Sequence, residues 1–218
     1  MPGPEAARVN MVESQLKTNR VSDPAVLEAF LAVPRERFVP EALKGLAYVD
    51  EDVRLGGDRF LMEPMVFARL VQLARVGREE NVLELGSGTG YGVAVLARLA
   101  ANVVGVEGDA ALAEKGAAVL AALGVRNATI RHGPIERGWP DRAPYGVILF
   151  AGAVASVPPA VLDQLAEGGR LLAVVRAGDE VGRAVLYQRV RGIVSHRPVL
   201  YAATPYLPGL EPQPSFVF

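Results

Sequence analysis

The 218-residue sequence has no cysteine. Disulfides, thiol catalysis and zinc-thiolate sites are therefore excluded. The lack also fits a reducing compartment. Lysine is scarce: only Lys17, Lys44 and Lys115 occur, and arginine supplies the remaining positive charge. At a net charge of -1 there is no basic excess to form the broad positive face of a dedicated nucleic-acid binder. Long apolar runs are missing too, since the most apolar stretch, Val147 to Val157, is too short to span a bilayer. The first turns carry Glu5, Arg8, Glu13, Lys17, Arg20 and Asp23, which leaves no apolar core for a signal peptide. The expectation is a soluble cytoplasmic protein with no membrane, nucleic-acid or metal partner.

What is present is a core. Half of the residues are hydrophobic, enough for one large domain or one domain with an N-terminal extension. Residues 1–75 read as a helical extension. Ala7, Val9, Val12 and Leu16 recur at helical spacing, and Ser22-Asp23-Pro24 opens a second helix that Val33-Pro34 closes. Arg35 to Lys44 is a short irregular or helical segment, Gly56-Gly57-Asp58 a turn, and Pro64 starts a helix through Ala74. Residues 76–204 change rhythm. Strands are expected at Asn81–Leu85, Asn102–Glu107, Asn127–Arg131, Tyr145–Phe150 and Gly169–Arg176. Helices fall between them at Tyr91–Ala100, from Asp109 to about Leu123, and at Pro159–Leu165. Such alternation means a doubly wound α/β sheet. Arg183–Val190 and Val199–Ala203 then read as a hairpin turning at Gly192. Residues 205–218 form a proline-rich tail ending in Phe216-Val217-Phe218.

The chemistry is concentrated after the first sheet strand. Val82-Leu83-Glu84-Leu85 runs into Gly86-Ser87-Gly88-Thr89-Gly90 and then a helix. Ligands of open α/β sheets bind at the carboxyl ends of strands, and glycine lets a backbone turn sharply against a ligand. Glu107 ends the next strand, 21 positions after Gly86, where an acid can accept both hydroxyls of a ribose. The dinucleotide fingerprint wants a third glycine where Tyr91 stands. Glu84, just before the loop, suits an ammonium and sulfonium better than a pyrophosphate. The pattern therefore favours S-adenosylmethionine over a nicotinamide cofactor.

On these and further residues the chain resembles the protein-L-isoaspartate O-methyltransferase family, over about residues 11 to 176. Met11-Val12-Glu13-Ser14-Gln15-Leu16 looks like its opening helix, and Val33-Pro34-Arg35-Glu36-Arg37-Phe38-Val39-Pro40 is similar to a signature specific to it. Ala47-Tyr48-Val49-Asp50, the run from Asn81 to Tyr91, Ala143-Pro144-Tyr145, Pro158-Pro159 and Leu165 to Leu171 continue the match. The resemblance implies a class I methyltransferase fold, Rossmann-like, of seven strands with an antiparallel last pair. It implies a helical N-terminus over the cofactor pocket. It also implies a monomer that methylates the α-carboxyl of isoaspartyl residues in damaged proteins.

The departures from the family gather where the acceptor belongs. After Gly56 the family typically reads Gly, Gln, Thr, Ile, Ser, Gln, Pro; here the stretch is Asp58-Arg59-Phe60-Leu61-Met62-Glu63-Pro64. Phe60 and Met62 replace hydroxyls and cannot donate to a carboxylate, and Glu63 repels one. Arg59 either supplies a charge-assisted pair to the acceptor or bridges Glu63 or Asp58 structurally. Arg59, Phe60 and Met62 are the candidate acceptor-site residues. Gly133-Pro134-Ile135 stands where the family has Gly-Asp-Gly near the adenine, so adenine is left to main-chain groups, Glu136 or packing on Ile135. Gly146 stands where the family has Asp, and Pro205-Tyr206-Leu207-Pro208 replaces its closing motif. His132 is a candidate base or an ordinary loop residue. His196 near Arg189, Arg191 and Arg197 is an anion patch or a solvated hairpin face. The aromatic end at Phe216 and Phe218 is expected to fold over the pocket or to dock on a neighbour as a dimer contact. Three readings follow: an isoaspartyl methyltransferase, a methyltransferase with another acceptor, and a cofactor-binding homologue without catalysis.

Overall fold

The computed structural model describes residues 3–178 and 180–212. The aromatic residues Phe216 and Phe218 lie outside the described residues. An N-terminal layer comes first. Helix α1 (Pro4–Met11) runs on as a π turn over Val12–Leu16. Helix α2 (Pro24–Ala32) starts at Asp23, whose carboxylate accepts from the Ala25 and Val26 N–H groups at 2.9 and 3.4 Å. Two 3₁₀ segments follow, Arg35–Phe38 and Glu41–Leu46. The Gly56-Gly57-Asp58 turn joins strands β1 (Val53–Gly56) and β2 (Arg59–Leu61), a short antiparallel hairpin that its sequence had shown only as a turn. Helix α3 (Pro64–Ala74) leads into the sheet.

The main sheet contains β3 (Asn81–Leu85), β4 (Asn102–Glu107), β5 (Ala128–His132), β6 (Tyr145–Val154), β7 (Leu165–Val175), β8 (Arg183–Val190) and β9 (Ile193–Tyr201). Helices α4 (Tyr91–Ala97), α5 (Ala110–Ala122) and α6 (Pro159–Leu162) connect the parallel strands. The spatial order is β5-β4-β3-β6-β7-β8-β9, parallel up to β7 and antiparallel beyond it. This is a seven-stranded Rossmann-like α/β sheet, and its order reverses between β3 and β6. The carboxyl ends of those two strands form the crevice where such sheets bind ligands.

Strand residues alternate between two cores. Val82, Val103, Val147 and Leu172 face one side with Phe30, Phe38, Phe67 and Tyr91 of the N-terminal and α3–α4 layers. Leu83, Val106, Ile148 and Leu171 face the other with Val161, Leu207 and Leu210. Both faces are covered, so the strands read as near-continuous apolar runs. The second face has little helix over it, and a segment around Leu207 fills the gap.

Several boundaries differ from the sequence reading; strand β6 runs on past Phe150 to Val154, and β7 begins at Leu165, four residues before Gly169. Helix α4 ends at Ala97, because Leu99 and Ala100 turn back onto the Leu96 carbonyl. Helix α6 ends at Leu162, because Leu165 already begins β7. Strand β9 begins at Ile193, well before Val199. It is an edge strand, exposed through Ser195-His196-Arg197-Pro198, so it lacks the in–out alternation that marks a half-buried strand. The β8–β9 turn does fall at Arg191-Gly192, with φ of +54° and +76°, the two positive values of a two-residue hairpin turn.

Candidate active site

Strand β3 delivers the glycine loop to the crevice. Gly86, Gly88 and Gly90 have φ of +76°, +54° and +89°, values that other residues adopt only with strain. The Gly86 and Ser87 N–H groups both donate to the Val106 carbonyl, at 2.9 and 3.1 Å, which ties the loop to the end of β4. Gly90 N–H closes the turn on the Ser87 carbonyl at 2.8 Å. The Thr89 hydroxyl is spent on the Phe38 carbonyl and locks the N-terminal layer to the loop.

Glu107, at the end of β4, is fully buried and fully engaged. One carboxylate oxygen accepts from the Gly88 N–H at 2.6 Å, and the other from the Asp109 N–H at 3.1 Å. Both also receive the Arg59 guanidinium, through Nε at 3.1 Å and Nη2 at 2.8 Å. The same Nη2 reaches the Gly86 carbonyl at 2.7 Å. Arg59 is thus a buried fork over the ends of β3 and β4. It bridges neither Glu63 nor Asp58.

Glu84 and Ser87 show the opposite condition. Each carries a buried oxygen with no hydrogen-bond partner, Glu84 Oε2 and the Ser87 hydroxyl. Burial raises the Glu84 carboxyl from the ordinary 4.5 to about 8; the Glu107 charge adds to the rise, and the Val93 N–H opposes it. The side chain lies against the start of α4, where a Cβ on Gly92 would sit 1.7 Å from Glu84 Oε1. Unpaired buried polar atoms are uncommon and call for a ligand or water. An ammonium would satisfy Glu84 and a polar ligand atom Ser87.

Phe60 on β2 and Met62 in the link between β2 and α3 flank this point, lining the same cleft as Glu84 and Ser87. They make its acceptor side apolar. The backbone of Met62 is held by Arg35, which is fully buried, donates to the Met62 and Ala47 carbonyls at 2.8 and 2.7 Å, and lies 4.8 Å over the Tyr91 ring. The role of Arg35 in the Val33–Pro40 signature is therefore architectural. Glu63 is half-buried, and burial followed by the charges of Asp52 and Asp50 raises its carboxyl to about 7. Gly133 N–H bonds the Glu107 carbonyl at 3.0 Å, Pro134 starts a 3₁₀ turn, and the buried Ile135 comes close to Gly108. These three lie beside Glu107, where a nucleoside base would follow its ribose. His132 is exposed and contacts the Gly108 carbonyl at 3.1 Å, away from the Glu84 cleft. His196 stacks against Tyr187 on the hairpin, with ring centroids 5.2 Å apart.

Two contributors were not visible in the sequence. Leu55 of β1 covers Gly88, and Leu207 covers Gly86 and Gly152. A lone leucine between Pro205 and Pro208 was the available hint, but its spatial neighbours could not be read.

The model of the Protein-L-isoaspartate(D-aspartate) O-methyltransferase family matches residues 7–204. The chain belongs to this family. A protein-L-isoaspartate O-methyltransferase 1 of Rhodopseudomonas palustris (strain HaA2) is 41% identical over 184 residues, 84% of this chain and 75% of that protein. The protein-L-isoaspartate O-methyltransferase of Methylorubrum extorquens (strain PA1) is 40% identical over 88% of this chain and 83% of its own length. Among solved structures, a protein-L-isoaspartate O-methyltransferase superposes with a TM-score of 0.82 at 26% identity, covering 95% of this chain and 67% of that one. A Plasmodium falciparum beta-aspartate methyltransferase in complex with S-adenosyl-L-homocysteine shares the fold at a TM-score of 0.75 and 18% identity, covering 94% of this chain and 98% of that one.

Proposed function

We propose that this chain is an S-adenosylmethionine-dependent carboxyl methyltransferase of protein repair, acting on isoaspartyl residues of damaged proteins. The observation that carries the reading is the pair of acids around the glycine loop in a member of this family. Glu107 aims its carboxylate at the loop, and Glu84 leaves one buried oxygen free. The residues present fit the donor's chemistry: Glu107 for the ribose diol, Glu84 for the ammonium, Ser87 and the glycine backbone for the methionine part, and Gly133, Pro134 and Ile135 for the base. The donor supplies an electrophilic methyl group on sulfur.

The chain's own contribution is binding and alignment. A carboxylate acceptor is already a nucleophile at neutral pH, so no general base is required. The protein needs to hold the acceptor in line and exclude water. Phe60 and Met62 do the excluding and offer no hydrogen bond of their own. Arg59 shares strand β2 with Phe60, while Arg54 lies 5.8 Å over the Phe60 ring and Arg35 holds the Met62 carbonyl. The absence of cysteine fits work in the cytoplasm. Among the described residues no helix is long and apolar enough to cross a membrane.

A second reading keeps the donor and changes the acceptor. It is favoured by the apolar wall and by Asp50, Asp52 and Glu63, which gather near the start of α3 and disfavour an anion. Incubation with labelled S-adenosylmethionine and an isoaspartyl peptide separates the two. Base-labile methyl ester on the isoaspartyl peptide and none on its aspartyl counterpart is the expected result. Absence of ester at high enzyme concentration, with transfer to another acceptor from a pool of metabolites and peptides, establishes the second.

A further inference from the structure

We infer that this chain occludes its own donor site, with Arg59 in place of the ribose on Glu107 and Leu207 in place of ligand against Gly86. The inference rests on the donor reading above and adds a regulatory step to it. Every hydrogen bond that a ribose diol could draw from Glu107 is already taken. Arg59 is 6% exposed, and its guanidinium holds both carboxylate oxygens. A bidentate guanidinium–carboxylate pair out of water outcompetes the neutral hydroxyls of a diol for the same oxygens.

The space is taken as well. Leu207 is fully buried, and one of its methyl carbons lies 2.4 Å from where a Cβ on Gly86 would stand. Leu55 comes within 2.8 Å of the corresponding point on Gly88. The void left among Met62, Glu84, Ser87 and Gly92 is about 10 Å³, room for a single water. Small-molecule sites are typically about 300–1,000 Å³.

The two blocking segments are joined. Asp52 accepts from the Glu63 N–H at 3.0 Å and from the Thr204 hydroxyl at 3.2 Å, linking the base of the β1–β2 hairpin to the start of the C-terminal strap. The strap is pinned along β6. Ala153 N–H donates to the Pro205 carbonyl at 2.8 Å, Leu207 N–H to the Ala153 carbonyl at 2.8 Å, and Ala155 N–H to the Leu210 carbonyl at 2.7 Å. Donor entry therefore requires Arg59 to leave Glu107 and Leu207 to leave Gly86, with hairpin and strap moving as one cover. The apparent affinity is the intrinsic affinity multiplied by the open fraction.

The test is calorimetric titration of S-adenosylhomocysteine into the full chain and its Arg59→Gln, Leu207→Ala and Glu107→Ala variants. Arg59→Gln removes the charge, and Leu207→Ala clears the space without touching Glu107. Both are expected to bind at least ~10-fold more tightly than the unmodified protein, as holds when the closed form outnumbers the open by ten to one. If Arg59→Gln fails to fold, Leu207→Ala decides alone. Unchanged or weaker binding by the folded variants, with Glu107→Ala weaker still, overturns the occlusion and leaves the donor reading intact. No binding by any of the four proteins overturns both.

Discussion

At the scale of single residues, the acids of the site divide according to what surrounds them. Glu107 is buried among four donors. Glu84 is equally buried with a carboxylate oxygen that has none, and desolvation carries it to about 8. A carboxyl raised on folding makes the native state bind more protons than the unfolded one between the two values. Stability is then greatest at the acid end and declines as pH rises from 4.5 through about 8. The slope is at most about 1.4 kcal/mol per pH unit for one group. Glu63, raised to about 7, acts in the same direction. Urea midpoints are expected to fall between pH 5 and pH 8.5, and Glu84→Gln to flatten that fall. Equal slopes in the two proteins contradict the assignment. Gly146 is a second residue whose identity is set by its neighbours. A Cβ there would lie 2.7 Å from Glu80 Oε1, and that carboxylate is held by Arg170, which also donates to the Ala74 carbonyl at 2.5 Å. The place where the family carries Asp is here occupied by an ion pair between Glu80, just before β3, and Arg170 of β7. Gly146→Asp is expected to cost about 1–3 kcal/mol through overpacking, with carboxylate repulsion in addition; an unchanged urea midpoint would count against it.

At the scale of elements, legibility followed burial pattern. Strands β3, β4 and β6 bury both faces and were read as apolar runs, and the glycine loop was marked by its own residues. Asp23 and Asp109 announced their helices because a cap is a local interaction. The first half of strand β9 is not legible in the sequence because its exposed middle has no periodicity. The β1–β2 hairpin shows in the sequence only as its turn because β2 is three residues long, too short for alternation to register, and its pairing is settled by Val53 and Leu61 facing the same core. Arg59 illustrates the limit most directly. Its sequence neighbours Asp58 and Glu63 suggested local bridges, yet its partner is 48 positions away.

At the scale of the whole molecule, residues 1–75 share one core with the sheet. Met11, Leu16, Phe30 and Phe38 belong to the same cluster as Val82, Val147 and Leu172. Removing the first 75 residues would expose that face of the sheet and leave the Thr89 hydroxyl without its Phe38 partner. A chain beginning at residue 76 is therefore expected to lack a cooperative thermal transition, as followed by circular dichroism. A sharp melt near that of the full chain would show that the sheet stands alone. The sequence by itself determined the alternating sheet, the glycine loop, the acid that answers it and the family, because each is written in neighbouring residues or in one strand-to-strand spacing. Tertiary structure alone decided which side chains share the crevice. The Arg59–Glu107 pair and the seat of Leu207 on Gly86 are contacts between distant segments, fixed by how the hairpin and the strap pack on the sheet. No local pattern encodes that packing.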